Sequence, residues 1–89
     1  MKFKAGDVFE VSDGEDGEIT YHIIIQVITP SITRGRSKLK ILEVFKMNHL
    51  NHTSGHILHI PNRTWFGAPK ERWYTLKRLT RNKNPEYFL

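Results

Sequence analysis

The sequence predicts a mainly β fold, with one small domain of about five antiparallel strands. Short runs of β-branched and aromatic residues are separated by turn-forming Gly, Pro, Asn and Asp, a pattern typical of small antiparallel sheets. The 89 residues, 38% hydrophobic and 26% charged, are enough for one modest hydrophobic core and too few for two domains. We therefore assign residues 1–83 to a single β domain and residues 84–89 to a short C-terminal tail.

The first two strands are predicted on either side of an acidic turn. Residues 6–11 are rich in β-forming side chains, and residues 19–29 contain a central Ile-Ile-Ile run. That run predicts a strand with both faces at least partly covered. Between these strands, residues 12–18 twice place Gly after Asp. Gly supplies the positive φ that tight hairpin turns require, so this segment predicts the turn.

The third strand is predicted over residues 38–47 by the alternation of apolar and basic side chains. Odd positions carry Leu39, Ile41, Phe45 and Met47, and even positions carry Lys38, Lys40 and Lys46. Glu43 interrupts the apolar face, while Leu42 and Val44 add apolar residues to the other. The mixture predicts either a β-bulge or a strand whose middle is buried on both sides.

The last part of the domain leaves helix and strand open. Residues 56–60 predict a short strand that Pro61 ends. Pro69 followed by residues 70–81 fits a short C-terminal helix with proline at its first position, but the aromatic and Thr content of residues 72–79 slightly favours a strand.

The order of strands and loops resembles that of a small SH3-like barrel. Residues 6–9 resemble the opening strand of such a barrel, and residues 73–76 resemble the closing one. The resemblance covers most of the chain, is architectural and involves no specific motif.

Charge is distributed unevenly along the chain. The first 30 residues carry a net charge of −4 and residues 31–89 carry +9, which together give the formal +5. If the fold keeps the two parts separate, one surface is acidic and another is basic.

Several function classes are excluded or disfavoured. Without Cys there is no disulfide framework, no thiolate zinc site and no cysteine nucleophile. The longest apolar run is three Ile residues, far below the ~20 that a membrane helix needs, and the N-terminus carries no apolar signal segment. We expect a cytoplasmic protein. No nucleophile elbow, phosphate-binding loop or paired carboxylate motif is visible, so we expect no enzyme activity and no cofactor.

Two clusters of potential metal ligands do not fit a metal site. The histidines at positions 49, 52, 56 and 59 would converge only on a helix, and the surrounding Asn, Gly and Pro residues argue against one. The acidic turn does not match the spacing of a calcium-binding loop. We therefore expect no metal site.

The basic second half of the chain, with its interleaved aromatic residues, is the strongest functional signal. Cations for phosphates and flat rings for bases are what nucleic-acid sites need. The candidate binding residues are Arg34, Arg36, Lys38, Lys40, Arg72, Trp73, Tyr74, Lys77, Arg78 and Arg81. An alternative interpretation places Trp65, Phe66 and Trp73 in the core and leaves the charges as a solvated face.

Two functions stay open at this point. The first is a non-enzymatic accessory or regulatory domain that contacts nucleic acid through the basic, aromatic-bearing face. The second is a protein-interaction module or inhibitor that uses the same Arg and aromatic residues, of the kind that a virus or mobile element encodes. Such a protein could also dock on a partner through its acidic turn, whose side chains are Asp13, Glu15, Asp16 and Glu18.

Overall fold

One five-stranded antiparallel sheet forms the protein in the computed structural model, which describes residues 3–15, 18–30, 35–47, 53–61 and 74–88. In chain order the strands are β1 (Val8–Glu15), β2 (Glu18–Thr29), β3 (Arg36–Met47), β4 (Ile57–Pro61) and β5 (Tyr74–Arg78). Their order across the sheet is β4-β3-β2-β1-β5. The predicted mainly β, five-stranded antiparallel domain is therefore confirmed. None of the helical turns in the described ranges is long and apolar enough to span a membrane.

The acidic segment extends the first hairpin. β1 continues through Asp13 to Glu15, and β2 begins at Glu18, with Glu15 and Glu18 as the last register pair. Residues 12–15 and 18, predicted as turn, are therefore strand, and the two residues between them lie outside the described ranges. A register shift between Asp13 and Gly14 adds a bulge near this end, and such bulges increase the local twist of a hairpin.

One side of the sheet, called here the apolar face, holds the main core. Its fully buried side chains are Phe9, Val11, Ile23, Ile25, Val27, Leu39 and Ile41. Side chains from both edge strands, Leu58 of β4 and Leu76 of β5, pack against the same cluster. A sheet whose two edges contact one cluster on one side is curved around that side, which is how its central strands reach near-complete burial.

The opposite side, called here the mixed face, is partly covered by the end of the chain. After β5, a 3₁₀ turn at Pro85–Tyr87 brings Tyr87 and Phe88 against a second cluster of Val8, Ile24 and Leu79. The segment assigned from sequence to a tail thus contributes apolar side chains to the domain. The burial of Ile23, Ile24 and Ile25 follows, because the central strand is covered on both sides.

Two β-bulges in β3 explain the irregular pattern of its sequence. Ile25 pairs with Ile41 but Ile24 pairs with Glu43, so Leu42 is an extra residue. Ile23 then pairs with Val44 and His22 with Lys46, so Phe45 is a second extra residue. Each insertion exchanges the faces of the following side chains. Of the two alternatives predicted for this strand, the bulge is therefore present.

One finer expectation is not met, and one alternative that the sequence left open is decided. The described strands do not close into a barrel, because β4 and β5 remain the two edges of the sheet. Both are five residues long, and closure would need hydrogen bonds between them. In the segment left open between helix and strand, Tyr74–Arg78 is strand, since Leu76 reaches the apolar face while Thr75 and Lys77 are exposed.

Candidate nucleic-acid interface

On the mixed face, residues that lie directly opposite each other on neighbouring strands form rows across the sheet. The members of one row share one side of the sheet. At one end the row is Thr75, Ser12, His22 and Lys46, and the next row is Lys77, Glu10, Ile24 and Glu43. Further along lie Val8, Gln26, Lys40 and Ile57, and then Lys38 with His59. The register thus brings four lysines from two strands onto one face.

These four lysines, Lys38, Lys40, Lys46 and Lys77, are the accessible charges of the face. Lys40, Lys46 and Lys77 are exposed and Lys38 is half-buried. Within the described ranges, none of the four makes an ion pair with a carboxylate. An unpaired ammonium on a sheet surface is free to exchange its counterions for phosphate oxygens.

Two carboxylates of the same face, those of Glu10 and Glu43, accept hydrogen bonds from neighbouring side chains. Glu10 Oε2 accepts a hydrogen bond from His22 Nε2 at 2.8 Å. Glu43 accepts a hydrogen bond from the hydroxyl of Tyr87, across the 3₁₀ turn. This bond raises the pKa of Tyr87 to about 12, helped by burial and by the negative charges of Glu43, Glu86 and Glu10. Each hydrogen bond occupies a carboxylate oxygen that a neighbouring lysine would otherwise contact.

An aromatic pair stands beside the lysines. The ring centroids of His22 and Phe45 are 4.6 Å apart and their planes are inclined by 40°. Phe45 is 51% exposed, the largest exposure of any large apolar side chain in the described part of the chain. Sequence alternation places Phe45 with Leu39 and Ile41 on the apolar face, and this prediction is wrong because the first bulge, at Leu42, exchanges the faces of the residues that follow it.

A shallow groove runs between the sheet and the 3₁₀ turn. Its volume is about 330 Å³, and it is lined by Gln26, Lys40, Leu42, Glu86 and Tyr87. Lys40 therefore stands at the border between the groove and the open part of the mixed face. The ammonium of Lys40 and the carboxylate of Glu86 are both exposed at this groove.

The sequence-predicted basic residues divide between two sides of the sheet. Lys38, Lys40 and Lys77 share the mixed face, as described above. Arg78 lies on the other side, where its Nη1 donates to Asp7 Oδ2 at 2.7 Å and its guanidinium lies 5.0 Å from the centroid of the Phe9 ring. Arg36 is exposed at the β4 edge, with its Nη1 3.4 Å from the carbonyl oxygen of His59.

The remaining predicted binding residues lie elsewhere or outside the described ranges. Arg81 stacks over the Phe88 ring, with 5.5 Å between guanidinium carbon and centroid. The backbone of Tyr74 begins β5. Arg34, Arg72 and Trp73 are outside the described ranges, as are Trp65 and Phe66.

The acidic docking candidates are placed at the end of the first hairpin. Asp13 accepts hydrogen bonds from the Gly14 amide at 2.8 Å and from the Tyr21 hydroxyl at 3.1 Å. Glu15 and Glu18 form the terminal register pair, and Asp16 lies outside the described ranges. At least one of these carboxylates therefore has a structural role in the hairpin.

Of the four histidines considered as metal ligands, the structure describes His56 and His59 only. His59 is exposed on β4 opposite Lys38, and His56 directly precedes β4. In the ranges that the structure describes, no group of three or more His, Asp or Glu side chains is arranged to hold a metal ion.

The sequence pattern does not single out the group formed by His22, Phe45 and Lys46. The signal for Lys46 was its shared parity with Lys38 and Lys40, and the signal for Phe45 was the irregularity at Glu43 that indicated a bulge. What alternation alone does not specify is where each extra residue falls. No protein-family model, curated protein or solved structure matches this chain.

Proposed function

We propose that this protein is a non-enzymatic domain that binds nucleic acid through the mixed face of its sheet, in an accessory or regulatory role. The observation that supports it best is the pairing pattern of that face. Its four lysines have no carboxylate partner in the described ranges, whereas Glu10 and Glu43 are each engaged by another side chain.

The physical basis is the release of counterions from the phosphate backbone. Each lysine that neutralises a phosphate releases a condensed cation, so log affinity falls linearly with log salt, by about 0.7 per phosphate for single strands and 0.9 for duplexes. Lys38 and Lys40 on β3 and Lys77 on β5 come from opposite sides of the central strand β2. A strand of nucleic acid following this face would meet cations on both sides of the C-terminal segment that covers its centre.

The first test is a fluorescence-anisotropy titration of the whole chain against labelled single-stranded and duplex oligonucleotides. Each oligonucleotide has about 20 nucleotides, which exceeds the usual footprint of one small domain. Salt is varied between about 50 and 200 mM. We expect micromolar or tighter binding at the low end, weakening steeply with salt. No binding at low salt would overturn the proposal and leave the protein-interaction module as the function to test by affinity capture.

A charge-matched pair of variants locates the binding surface. Lys40→Glu reverses a charge on the mixed face, and Lys4→Glu makes the same change beside Phe3, Asp7 and Arg78, away from the rows described above. Both variants alter net charge equally, so a nonspecific effect would be the same for both. We expect only Lys40→Glu to weaken binding strongly and to reduce the salt slope by about one phosphate contact. Equal losses would place the binding surface elsewhere.

A further inference from the structure

The side chain of Phe45 is an apolar ring that is exposed to solvent on a largely polar surface. Half of its side chain is exposed, and its neighbours on the face are the imidazole of His22 and the ammonium-bearing Lys46. Core packing does not explain this position, because the apolar residues on either side of it, Val44 and Met47, pack into the main cluster instead. The first bulge of β3, at Leu42, therefore turns an aromatic ring to the mixed face, and the second bulge keeps Lys46 on that face as well.

His22 supports this ring from the side. Its Nε2 donates to Glu10 at 2.8 Å, which restricts rotation of the imidazole, and its centroid lies 4.6 Å from that of Phe45. The next strands continue the support, since Ser12 lies opposite His22 and its hydroxyl is 2.6 Å from that of Thr75. A ring that is fixed before binding loses little conformational freedom when a ligand stacks on it.

We infer that Phe45 and His22 form a stacking platform for an unpaired base of single-stranded nucleic acid, with Lys46 placed for the adjoining phosphate. This inference rests on the proposed function and names its ligand class. Lys46 lies directly opposite His22 in the register and is exposed, so the cation and the platform adjoin. Every base has a flat π-face, whereas bases of a duplex are stacked inside it and present only their edges.

Other exposed apolar side chains of the described ranges do not offer the same chemistry. Ile28 and Ile57 are 36% and 39% exposed, and Ile57 lies opposite Lys40 on the mixed face, but neither has a π system. Ile57 supplies a matched control, because removing an exposed aliphatic side chain from the same face tests whether apolar area alone matters.

The test uses three labelled probes with the whole chain: a thymidine strand of about 12 nucleotides, which matches the footprint of a small domain, an abasic strand of equal length, and a duplex. The wild-type protein should bind the thymidine strand more tightly than the abasic strand. Phe45→Ala should weaken binding to the thymidine strand about tenfold, as expected for one lost base–aromatic stack. It should leave binding to the abasic strand unchanged.

Three further variants separate stacking from folding. Phe45→Trp keeps a larger ring and should preserve or improve binding to the thymidine strand. Phe45→Leu keeps apolar volume without a ring and should lose binding as Ala does, which covers the case in which Ala impairs folding. Ile57→Ala should change nothing, and circular dichroism verifies the fold of each variant.

The outcomes distinguish this inference from the proposed function. If the wild type binds the thymidine strand and Phe45→Leu binds it equally well, the platform is wrong and binding through the lysines stands. Equal wild-type affinity for thymidine and abasic strands would also overturn the platform while leaving the lysines as the binding groups. If the wild type binds none of the three probes at low salt, both the platform and the proposed function are overturned.

Discussion

Phe9 and Phe45 show how differently the two faces of this sheet use the same side chain. Phe9 has no exposed surface and lies in the main core, under the guanidinium of Arg78. Phe45 is half exposed on the mixed face and contacts the imidazole of His22. The apolar face excludes water from its central residues, whereas the mixed face keeps an aromatic ring and four lysines in contact with it.

The difference shows that composition does not decide the role of a residue in a small sheet. In both strands the Phe lies within an alternating segment, between polar and apolar neighbours. The register of β1 is regular up to Phe9, but β3 carries an extra residue at position 42, ahead of Phe45. Because side chains alternate with a period of two, one inserted residue moves a ring from the core to the solvent.

The largest expected effect is that of Phe9→Ala, which removes a fully buried ring from the apolar face. We expect the free energy of unfolding to fall by about 3–5 kcal/mol, from lost burial and from the cavity left behind. This is a large share of the stability of a small domain. Chemical denaturation followed by circular dichroism measures it. A loss below about 1 kcal/mol would mean that Phe9 does not support the core.

A smaller loss is expected for Asp7→Ala, which removes an ion pair at the rim of the apolar face. The carboxylate of Asp7 is 12% exposed, accepts from the Lys4 amide at 2.9 Å and pairs with Arg78 at 2.7 Å. We expect a loss of about 1–2 kcal/mol in the free energy of unfolding. Lys77→Ala, on the neighbouring position of β5 and without an ion pair in the described ranges, is the control and should lose little. Equal losses of unfolding free energy for the two variants would show that the ion pair between Asp7 and Arg78 does not stabilise the fold.

The mixed face has its own structural bond, which Tyr87→Phe removes. Loss of the hydrogen bond from Tyr87 to Glu43 should lower the free energy of unfolding by about 1 kcal/mol near neutral pH.

The same bond predicts a dependence on alkaline pH. Because the pKa of Tyr87 is raised from 10.0 to about 12 in the folded state, its contribution is fully present below pH 10 and is lost as the pH rises through about 12. Thermal unfolding of wild type and Tyr87→Phe should converge across this window. Parallel curves would show that the hydroxyl does not stabilise the fold.

The smallest expected effect on stability is that of Phe45→Ala, the counterpart of Phe9→Ala. Because the ring is half exposed, we expect a change in the free energy of unfolding of about 0.5 kcal/mol or less, in the range of surface substitutions. The same denaturation experiment measures it. A loss as large as that of Phe9→Ala would place Phe45 in the core and would remove the contrast between the two faces.

Much of the fold follows from local pattern. The five strands, the first hairpin and the bulge in β3 were predictable because alternation, β-branched residues and Gly next to Asp act over a few neighbouring positions. The ambiguous segment became a strand through a long-range contact, since Leu76 packs against the cluster formed by β1, β2 and β3. Barrel closure was not predictable, because it depends on whether two distant edge strands pair.

The candidate site was predictable only in part, for the same reason. Lys38 and Lys40 were placed together correctly because they alternate on one strand, but Lys77 joins their face only through the pairing of β5 with β1. Lys77 and Arg78 are neighbours in sequence, and the sheet places them on opposite sides. Local charge density therefore indicates that a basic surface exists without indicating which cations share it.

By itself the sequence determined that this is a small β domain with an acidic first part and a basic remainder, because composition and periodicity are properties of neighbouring residues. Only the tertiary structure decided that Phe45 is exposed beside His22, that the end of the chain covers Ile24, and that Glu43 is engaged by Tyr87. Each of these depends on register, bulge position and contacts between distant segments. Those are set by the free energy of the whole packed sheet, which no local pattern contains.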